Sequence, residues 1–285
     1  MGKPSILDNG YKCESCKLLC VYVLTRFRYA FDVIGELFFG RMFGFMESGS
    51  DYRSLIGSLD LLNPIMAGVA VSPTYVRPFI LLSAVTSSTV RVALKSLDHI
   101  ANTAKACVTT RQQELEAVKE DGNPQRQDLL QQFFGIMQEK GEKVDFGIPD
   151  IQTEAYGALF AGSDTTAIAM RSVFYYLSCS QKDFTALMRV LDEAFPPDKY
   201  SLDVPISYAD TIKLPLLCAT IKEAMRLHPS TAFTMPRVSP PGGLHIDGAY
   251  IPARYKIGIN PYIVQRNTDV FGSDAHVFRP KRWLP

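Results

Sequence analysis

A long segment with almost no charge constrains the fold more than any other feature of the sequence. From Ala155 to Met170 the only charged residue is Asp164. The pattern predicts a helix that begins near Asp150, whose side chain can cap the first free amide groups, and that continues to about Ser178. Such a helix is roughly 40 Å long at about 1.5 Å per residue. Because it is apolar nearly all round, we expect it to run through the middle of a domain.

The residues around Asp164 are small or carry hydroxyl groups. Gly162 costs about 1 kcal/mol of helix propensity relative to alanine, and a neighbouring hydroxyl can bond to a carbonyl one turn back and bend the helix. Ala161 and Thr165 are four residues apart, so they share a face that a flat ligand can approach closely. Two interpretations of Asp164 stay open at this point. It is either a structural acid paired with a distant arginine or part of a proton path beside a ligand pocket.

The remaining pattern predicts a mainly α fold with a small β-sheet near the C-terminal end. Four stretches have the character of helices: Thr89 to Lys119, Leu129 to Gln138, Asp150 to Ser180, and Leu214 to His228. Leu244 and Ile246 alternate with polar neighbours before the turn dipeptide Asp247-Gly248. A second alternation follows the turn, at Tyr255, Ile257 and Ile259. No boundary is strong enough to split the chain, so we expect a single domain over residues 1–285.

Charge and cysteine spacing exclude some classes of partner. The net charge is +1 and no run of lysine or arginine is present, so we expect no nucleic acid partner. Cys13, Cys16 and Cys20 form a C-x2-C-x3-C cluster, but no fourth thiol or histidine lies nearby to complete a zinc or iron–sulfur ligand set. We therefore expect small residues beside an apolar helix there, and no metal site.

Two apolar stretches bear on membranes. The run from Leu18 to Leu24 is far shorter than the roughly 20 residues that a membrane span needs, so we expect no membrane anchor in this sequence. The stretch from Leu61 to Val76 carries no charge and is interrupted by Pro64 and Pro73. Touching a membrane surface and lining a pocket are alternatives for it, but we expect it to be buried in the core.

A second motif lies on the helix that follows the long one. Glu223 and Arg226 are three residues apart and can pair on one face. An ordered series of further motifs follows, consisting of Pro236-Arg237, Asp247-Gly248, Asn260-Pro261 and Phe278 to Trp283 with Arg282 inside it. Together with residues 161–166 and the stretch from Tyr29 to Gly40, this order resembles the cytochrome P450 family, particularly fungal members of the pisatin-demethylase kind. The resemblance covers residues 29–285, leaves residues 1–28 unassigned and implies a partial cytochrome P450 fold.

The resemblance implies roles for individual residues. Asp164 and Thr165 are expected to lie over a haem and deliver protons to dioxygen, because cleavage of the O–O bond needs protons without free water in the pocket. Ala161 and Gly162 are expected to line the groove at the haem. Arg237 matches the position that binds a haem propionate.

The same resemblance implies a structural clamp, a reaction and partners. Glu223, Arg226 and Arg282 match the family's buried clamp, in which a guanidinium binds a carboxylate with two hydrogen bonds. The implied reaction is insertion of one oxygen atom into a small organic substrate of secondary metabolism. Its electrons come from an NADPH-dependent reductase.

The sequence departs from the family where the iron ligand belongs. In the family, the ligating cysteine lies beyond the position of Arg282, in a Phe-x-x-Gly-x-Arg-x-Cys loop, but all six cysteines here precede Glu223. The family's endoplasmic-reticulum anchor and early Trp-x-x-x-Arg pair are not found either, since the only tryptophan is Trp283. We therefore expect a protein truncated at both ends that binds no haem through a thiolate and is inactive.

Two other hypotheses stay open. One is an active haem-thiolate monooxygenase whose ligand loop is encoded beyond Pro285. The other is a non-catalytic binding or scaffold protein that uses the same helices to dock a partner.

Overall fold

The computed structural model describes residues 28–121, 128–196 and 206–285. These residues form two compact units that divide between Ala167 and Ile168. The predicted single domain over residues 1–285 stays a prediction, and the cysteine cluster at residues 13–20 lies outside the described residues.

The first unit is helical throughout. Its α-helices are α1 (28–39), α2 (Phe45–Ser48), α3 (Leu55–Val71), α4 (Arg77–Leu82), α5 (Ser88–Asp121), α6 (Leu129–Val144) and α7 (Ile148–Gly157). A π-helical turn, Ala158–Gly162, connects α7 to α8 (Ser163–Cys179), which continues into the second unit. Short 3-10 turns precede α3 and follow α4, at Tyr52–Ser54 and Ser83–Val85. Helix α5 packs against both α3 and α7 and is therefore the central element of this unit.

Aromatic side chains from α1 and the turn after it fill the core of the first unit. Phe31 stacks on Phe45 with ring centroids 4.7 Å apart, and Phe43 stacks on Tyr52 at 5.4 Å. Phe31, Phe45 and Leu59 are almost completely buried, and each such side chain contributes about 1.5–3 kcal/mol through burial. The aromatic stretch that resembled the family in sequence is thus a packing element.

An ion pair between Arg111 and Asp128 lies beside the end of α1. Gly40 has a φ of +70°, and a Cβ atom there would lie 2.6 Å from the Asp128 Oδ2 atom. Asp128 accepts a hydrogen bond from the Arg111 Nε–H group at 2.9 Å and caps α6 by accepting another from the Gln131 backbone N–H at 2.9 Å. One carboxylate therefore connects α5 to α6 and lies close to Gly40, the residue after α1.

The expectation that residues 61–76 are buried was wrong. Helix α3 runs through Pro64 to Val71, and its buried residues are Leu55, Ser58, Leu59 and Leu62. Residues after Leu62 are half-buried or exposed, including Val71 and Tyr75. An uncharged sequence does not make a segment central, because only one face of the first half of α3 packs on α5. Pro64 removes one backbone hydrogen bond from the helix without ending it.

Helix α3 is also the described helix whose length and composition would suit a membrane span. Within the 20 residues Tyr52–Val71, which include the 3-10 turn before α3, a window of 18 residues has a mean hydropathy of 1.5. Helices Arg77–Val85 and Ser88–Ala117 meet the same criterion only when taken as a pair, and they meet at an angle of 101°. One or two such helices are weak evidence for a span, because core helices of soluble proteins also pass the test.

The second unit combines helices with two small antiparallel sheets. Its helices are α9 (Gln181–Ala194), α10 (Tyr208–Thr211), α11 (Pro215–Leu227), α12 (Pro261–Val264) and α13 (Thr268–Phe271), with a final 3-10 turn at Pro280–Trp283. The strands are β1 (Arg237–Val238), β2 (Leu244–Ile246), β3 (Ala249–Ile251) and β4 (Lys256–Ile257), paired β1 with β4 and β2 with β3. The mainly α fold with a small β component is confirmed.

The turn at Asp247-Gly248 closes the hairpin that the sequence predicted. Asp247 has a φ of 48° and Gly248 a φ of 78°, as two-residue hairpin turns require. The strand that pairs with β2 is β3, directly after the turn. Of the later alternating residues only Ile257 lies in a strand, opposite Arg237.

Candidate functional site

The long helix begins two residues before its predicted start. Gly147 is the residue before the first turn, and Pro149 lies within that turn, where its missing N–H group is not needed. Asp150 accepts a hydrogen bond from the Gly147 backbone N–H at 2.8 Å. The Asp150 side chain therefore caps the start of the helix as predicted, but it does so from within the first turn.

The helix changes its hydrogen-bond pattern next to the predicted site. The π-helical turn Ala158–Gly162 lies between α7 and α8, and π-turns of this kind occur frequently at functional sites. The Thr165 hydroxyl donates to the Ala161 carbonyl oxygen at 2.8 Å, which confirms the back-bonding that the sequence suggested.

The small residues of this segment face in different directions. Ala161 and Thr165 are both exposed and share one face of the helix. Gly162 is half-buried, and a Cβ atom there would lie 3.2 Å from the Ile34 Cδ1 atom of α1. The glycine therefore lets α1 approach the helix closely. The prediction that Ala161 and Gly162 line a haem groove stays a prediction.

Asp164 is half-buried and is held by a side chain from α3. The Asn63 Nδ2–H group donates to the Asp164 Oδ2 atom at 3.0 Å, across 101 residues of sequence. The sequence did not indicate Asn63, because no pattern connects a single asparagine to an acid so far along the chain. The hypothesis that Asp164 pairs with a distant arginine did not include a bond from an asparagine amide.

Glu223 lies at the centre of a buried cluster of hydrogen bonds. Glu223 is fully buried. Its Oε2 atom accepts from Arg226 Nε at 2.8 Å, and its Oε1 atom accepts from Arg226 Nη2 at 2.8 Å and from Arg282 Nε at 3.4 Å. The Arg279 backbone N–H donates to Oε1 at 3.0 Å and the Trp283 indole N–H to Oε2 at 2.9 Å. The geometry brings Glu223, Arg226 and Arg282 together.

The two arginines also bind backbone carbonyls, and this explains why the clamp needs guanidinium groups. Arg226 Nη1 donates to the carbonyl oxygens of Gln265 and Ala275 at 2.5 and 2.6 Å. Arg282 donates to the carbonyl oxygens of Phe271 and Asp274 at 2.5 and 3.0 Å. A lysine has neither the planar fork nor the number of donors to replace either residue.

The charged groups of the clamp shift the pKa values of Glu223 and Arg282. Burial pushes the pKa of Glu223 upward, but hydrogen bonds from Arg226, the Arg279 backbone and Trp283 outweigh it, so the pKa lies below its ordinary value. Burial lowers the pKa of Arg282, but its contacts with Asp274 and Glu223 raise it above the ordinary value. The clamp is therefore ionised on both sides at neutral pH.

Arg237 lies in β1 and is exposed. Its Nη1 group donates to the carbonyl oxygens of Met235 and Pro236 at 3.1 and 3.2 Å. Within the part of the chain that the structure describes, its guanidinium makes no ion pair. In those same ranges, no three histidine, cysteine, aspartate or glutamate side chains converge so as to hold a metal ion.

Comparison with known proteins gives one consistent family. The family model for cytochrome P450 matches residues 22–285. The cytochrome P450 monooxygenase gsfF of Penicillium aethiopicum is 44% identical over 256 residues, which are 90% of this chain and 50% of the relative. The monooxygenase ACRTS1 of Alternaria alternata is 38% identical over 90% of this chain and 66% of its own length. Pisatin demethylase of Fusarium vanettenii is 32% identical over 99% of this chain and 52% of its own length.

The chain thus spans between half and two thirds of the length of these curated relatives. The matched residues contain the helix with the π-helical turn, Asp164 and Thr165. They also contain the complete clamp around Glu223. On the family match over residues 22–285, the chain belongs to the cytochrome P450 family.

Proposed function

We propose that these residues supply the oxygen-facing wall and the structural clamp of a haem-thiolate monooxygenase. The reaction inserts one oxygen atom into a small organic substrate of secondary metabolism and takes its electrons from an NADPH-dependent reductase. The observation that carries the proposal is the π-helical turn, which ends at Gly162, two residues before Asp164 and three before Thr165. An acid followed by an alcohol next to such a turn suits the delivery of protons to a bound reactant.

Each unit, taken by itself, has a feature that suits the binding of a haem. Ala161 and Thr165 form an exposed face with small side chains, which leaves room for a flat group beside the helix. Arg237 is an exposed arginine without an ion pair in the described ranges, and an arginine binds a carboxylate such as a propionate with two hydrogen bonds. When bound through a thiolate, the haem supplies the activation of oxygen.

The protein's own contribution is the movement of protons. The half-buried Asp164 carboxylate can take up a proton from water and release it again. The Thr165 hydroxyl donates to Ala161 in the structure, so its oxygen can accept a hydrogen bond from a bound group at the same time. In the proposed path the Thr165 O–H turns from Ala161 to the bound group and gives up its proton there, and the Thr165 oxygen is reprotonated by Asp164.

The iron ligand is the part of the proposal that these 285 residues do not provide. None of the six cysteines follows a Gly-x-Arg pattern. Cys107 is buried, and burial raises the pKa of its thiol, which disfavours the thiolate. We therefore propose that the 285-residue polypeptide by itself forms no thiolate-ligated haem and is inactive.

A carbon-monoxide difference spectrum tests both statements. We compare the 285-residue polypeptide with a hybrid in which residues 29–285 replace the matching half of gsfF, and with gsfF itself as the positive control. The hybrid is expected to show the absorbance maximum of a thiolate-bound carbonyl complex, and the polypeptide alone is expected to lack it.

Two results would overturn the proposal. A thiolate-type spectrum from the polypeptide alone would show that one of its own cysteines ligates iron. A hybrid that is folded by circular dichroism but binds no haem would show that these residues do not form the proposed wall.

A further inference from the structure

We propose that Asn63 is a positioning residue that fixes the side-chain rotamer of Asp164. The inference rests on the proposed role of Asp164 in proton delivery. It adds a residue from a different helix, α3, to that site.

The contact between the two side chains is directional. Asn63 Nδ2 donates to Asp164 Oδ2 at 3.0 Å, within the range of a good N–H···O hydrogen bond. Both side chains are half-buried, so water competes for the carboxylate less than it does at an open surface. An aspartate that lacks such a restraint can populate several staggered χ1 rotamers. A general acid must lie within hydrogen-bond reach of the group that it serves, so its rotamer matters for its function.

Asn63 contributes a neutral amide donor to Asp164. An arginine or lysine at this distance would favour the ionised carboxylate strongly and hold the proton off. An amide N–H donor orients the oxygen without adding a charge. Asn63 therefore restrains Asp164 without adding a charge of its own.

On each side of the contact the backbone hydrogen bonding of the helix changes close by. Pro64 follows Asn63 directly inside α3 and removes one backbone hydrogen bond there. The π-helical turn Ala158–Gly162 ends two residues before Asp164. The Asn63–Asp164 bond therefore joins the two helices close to the places where the backbone hydrogen bonding of each one changes.

Helix α3 is anchored immediately before this point. Leu59 and Leu62 are buried in the core, and Leu62 directly precedes Asn63. Beyond it the helix is mostly exposed. Asn63 therefore directly follows the last buried residue of α3, so its backbone is held in place by the packing of Leu62.

Nuclear magnetic resonance on the 285-residue polypeptide tests the inference. Aspartate-selective 13C and 15N labelling gives the three-bond couplings that report the χ1 angle of Asp164. In the wild type we expect the couplings of a single rotamer. Asn63→Leu keeps the size of the side chain and removes the hydrogen bond, so we expect rotamer-averaged couplings. Asn102→Leu, at an exposed position of α5, is the matched control and is expected to leave Asp164 unchanged.

Each possible result either supports or overturns the role of Asn63 in positioning Asp164. A single unchanged rotamer in Asn63→Leu would show that packing alone positions Asp164 and would overturn the inference. Averaging in both variants would overturn it as well, because the effect would not be specific to Asn63. Partial recovery of one rotamer in Asn63→Gln, which restores an amide donor, would support it further, and full averaging there would count against it.

A measurement on the wild type covers the case in which Asn63→Leu does not fold. The side-chain amide protons of Asn63 are expected to exchange with water at least about 10-fold more slowly than those of exposed Asn102. Equal rates would overturn the inference. These measurements do not require haem, so their outcome is independent of the carbon-monoxide spectrum. The Asn63–Asp164 hydrogen bond can be confirmed even if the monooxygenase proposal fails, and the monooxygenase proposal can hold even if Asn63 does not position Asp164.

Discussion

The indole N–H of Trp283 donates to the Oε2 atom of Glu223 at 2.9 Å, and Glu223 has no solvent exposure. Trp283 is the only tryptophan among the 285 residues. The intrinsic tryptophan fluorescence of the protein therefore comes from a side chain that is part of the clamp. This gives a direct optical probe of whether the clamp is intact.

Glu223→Gln is expected to lower the free energy of unfolding of the second unit by about 3–5 kcal/mol, because removing one charge of a buried pair leaves the other uncompensated. Arg226 is nearly as buried as Glu223 and would lose both hydrogen bonds to a carboxylate. Urea unfolding followed by Trp283 fluorescence measures the loss, and a shift in the emission of the folded state should accompany it.

Glu193→Gln is the matched control for that substitution. Glu193 lies on α9 in the same unit and pairs with Arg189 at 3.7 Å, but both side chains are more than two thirds exposed. We expect a change within about 0.5 kcal/mol, as is usual for surface pairs. Equal losses for the two variants would contradict the clamp's role in stability.

The pH dependence of stability follows from the depressed pKa of Glu223. A carboxyl whose folded pKa lies below its ordinary value of 4.5 stabilises the fold above that pH. This contribution is lost as the pH falls through the lower, folded-state pKa. The wild type should therefore lose more free energy of unfolding than Glu223→Gln between neutral pH and about pH 3. Parallel curves for the two proteins would rule out a contribution from Glu223.

The sequence was sufficient for the features that depend on local pattern. The hairpin at Asp247-Gly248 needs two residues that accept positive φ, and both stand adjacent in the sequence. Glu223 and Arg226 are neighbours on one helical face, so their pairing is local too. The hydroxyl back-bond from Thr165 to Ala161 joins residues four apart. Each of these follows from a helix or turn whose geometry is fixed within a few residues.

Contacts between segments that are far apart in the sequence could not be predicted from local patterns. Neither the Asn63–Asp164 bond nor the approach of Ile34 to Gly162 has a periodic pattern, because each depends on how two helices pack. The indole donor at Trp283 was missed since a tryptophan beside Arg282 is equally compatible with simple packing. The burial of residues 61–76 was predicted wrongly because apolar composition does not specify which face a helix presents to a core.

Gly40→Ala is expected to destabilise the first unit by a few kcal/mol. Gly40 has a φ of +70°, where an alanine is strained by about 1–2 kcal/mol. Its Cβ atom would also lie 2.6 Å from Asp128 Oδ2, so the carboxylate that binds Arg111 must move. Thermal unfolding followed by circular dichroism measures the change.

Gly135→Ala provides the contrast. Gly135 lies inside α6, and a Cβ atom there would meet nothing within 4 Å. Alanine is favoured over glycine by about 1 kcal/mol in a helix interior, so this variant should be slightly more stable than the wild type. If Gly135→Ala lowered the stability of the protein as Gly40→Ala does, the crowding around Gly40 would not explain the loss.

Two buried serines of α8 should respond in opposite directions to alanine. Ser163 is fully buried, and its hydroxyl has no hydrogen-bond partner among the described residues. Ser163→Ala removes an unsatisfied group and should stabilise the fold by about 1 kcal/mol or leave it unchanged. Ser172 is 4% exposed and donates to the Ala169 carbonyl at 2.8 Å, so Ser172→Ala should cost about 1 kcal/mol. Urea unfolding compares them, and a larger loss at Ser163 would indicate a partner, such as a buried water.

Thr165→Ala in the gsfF hybrid tests the proposed proton path. Without the hydroxyl, protons reach the reactant more slowly, and dioxygen that has taken two electrons and two protons leaves as hydrogen peroxide. The peroxide released per NADPH oxidised should therefore rise, and substrate oxidation should fall by about 10²-fold, the lower end of the usual effect of general acid catalysis. Thr166→Ala is the matched control, since Thr166 is the next hydroxyl residue on the same helix and is equally exposed. Both quantities are measured with reductase and a substrate of gsfF. If Thr166→Ala raises peroxide release as much as Thr165→Ala does, the path does not depend on the face that Thr165 shares with Ala161.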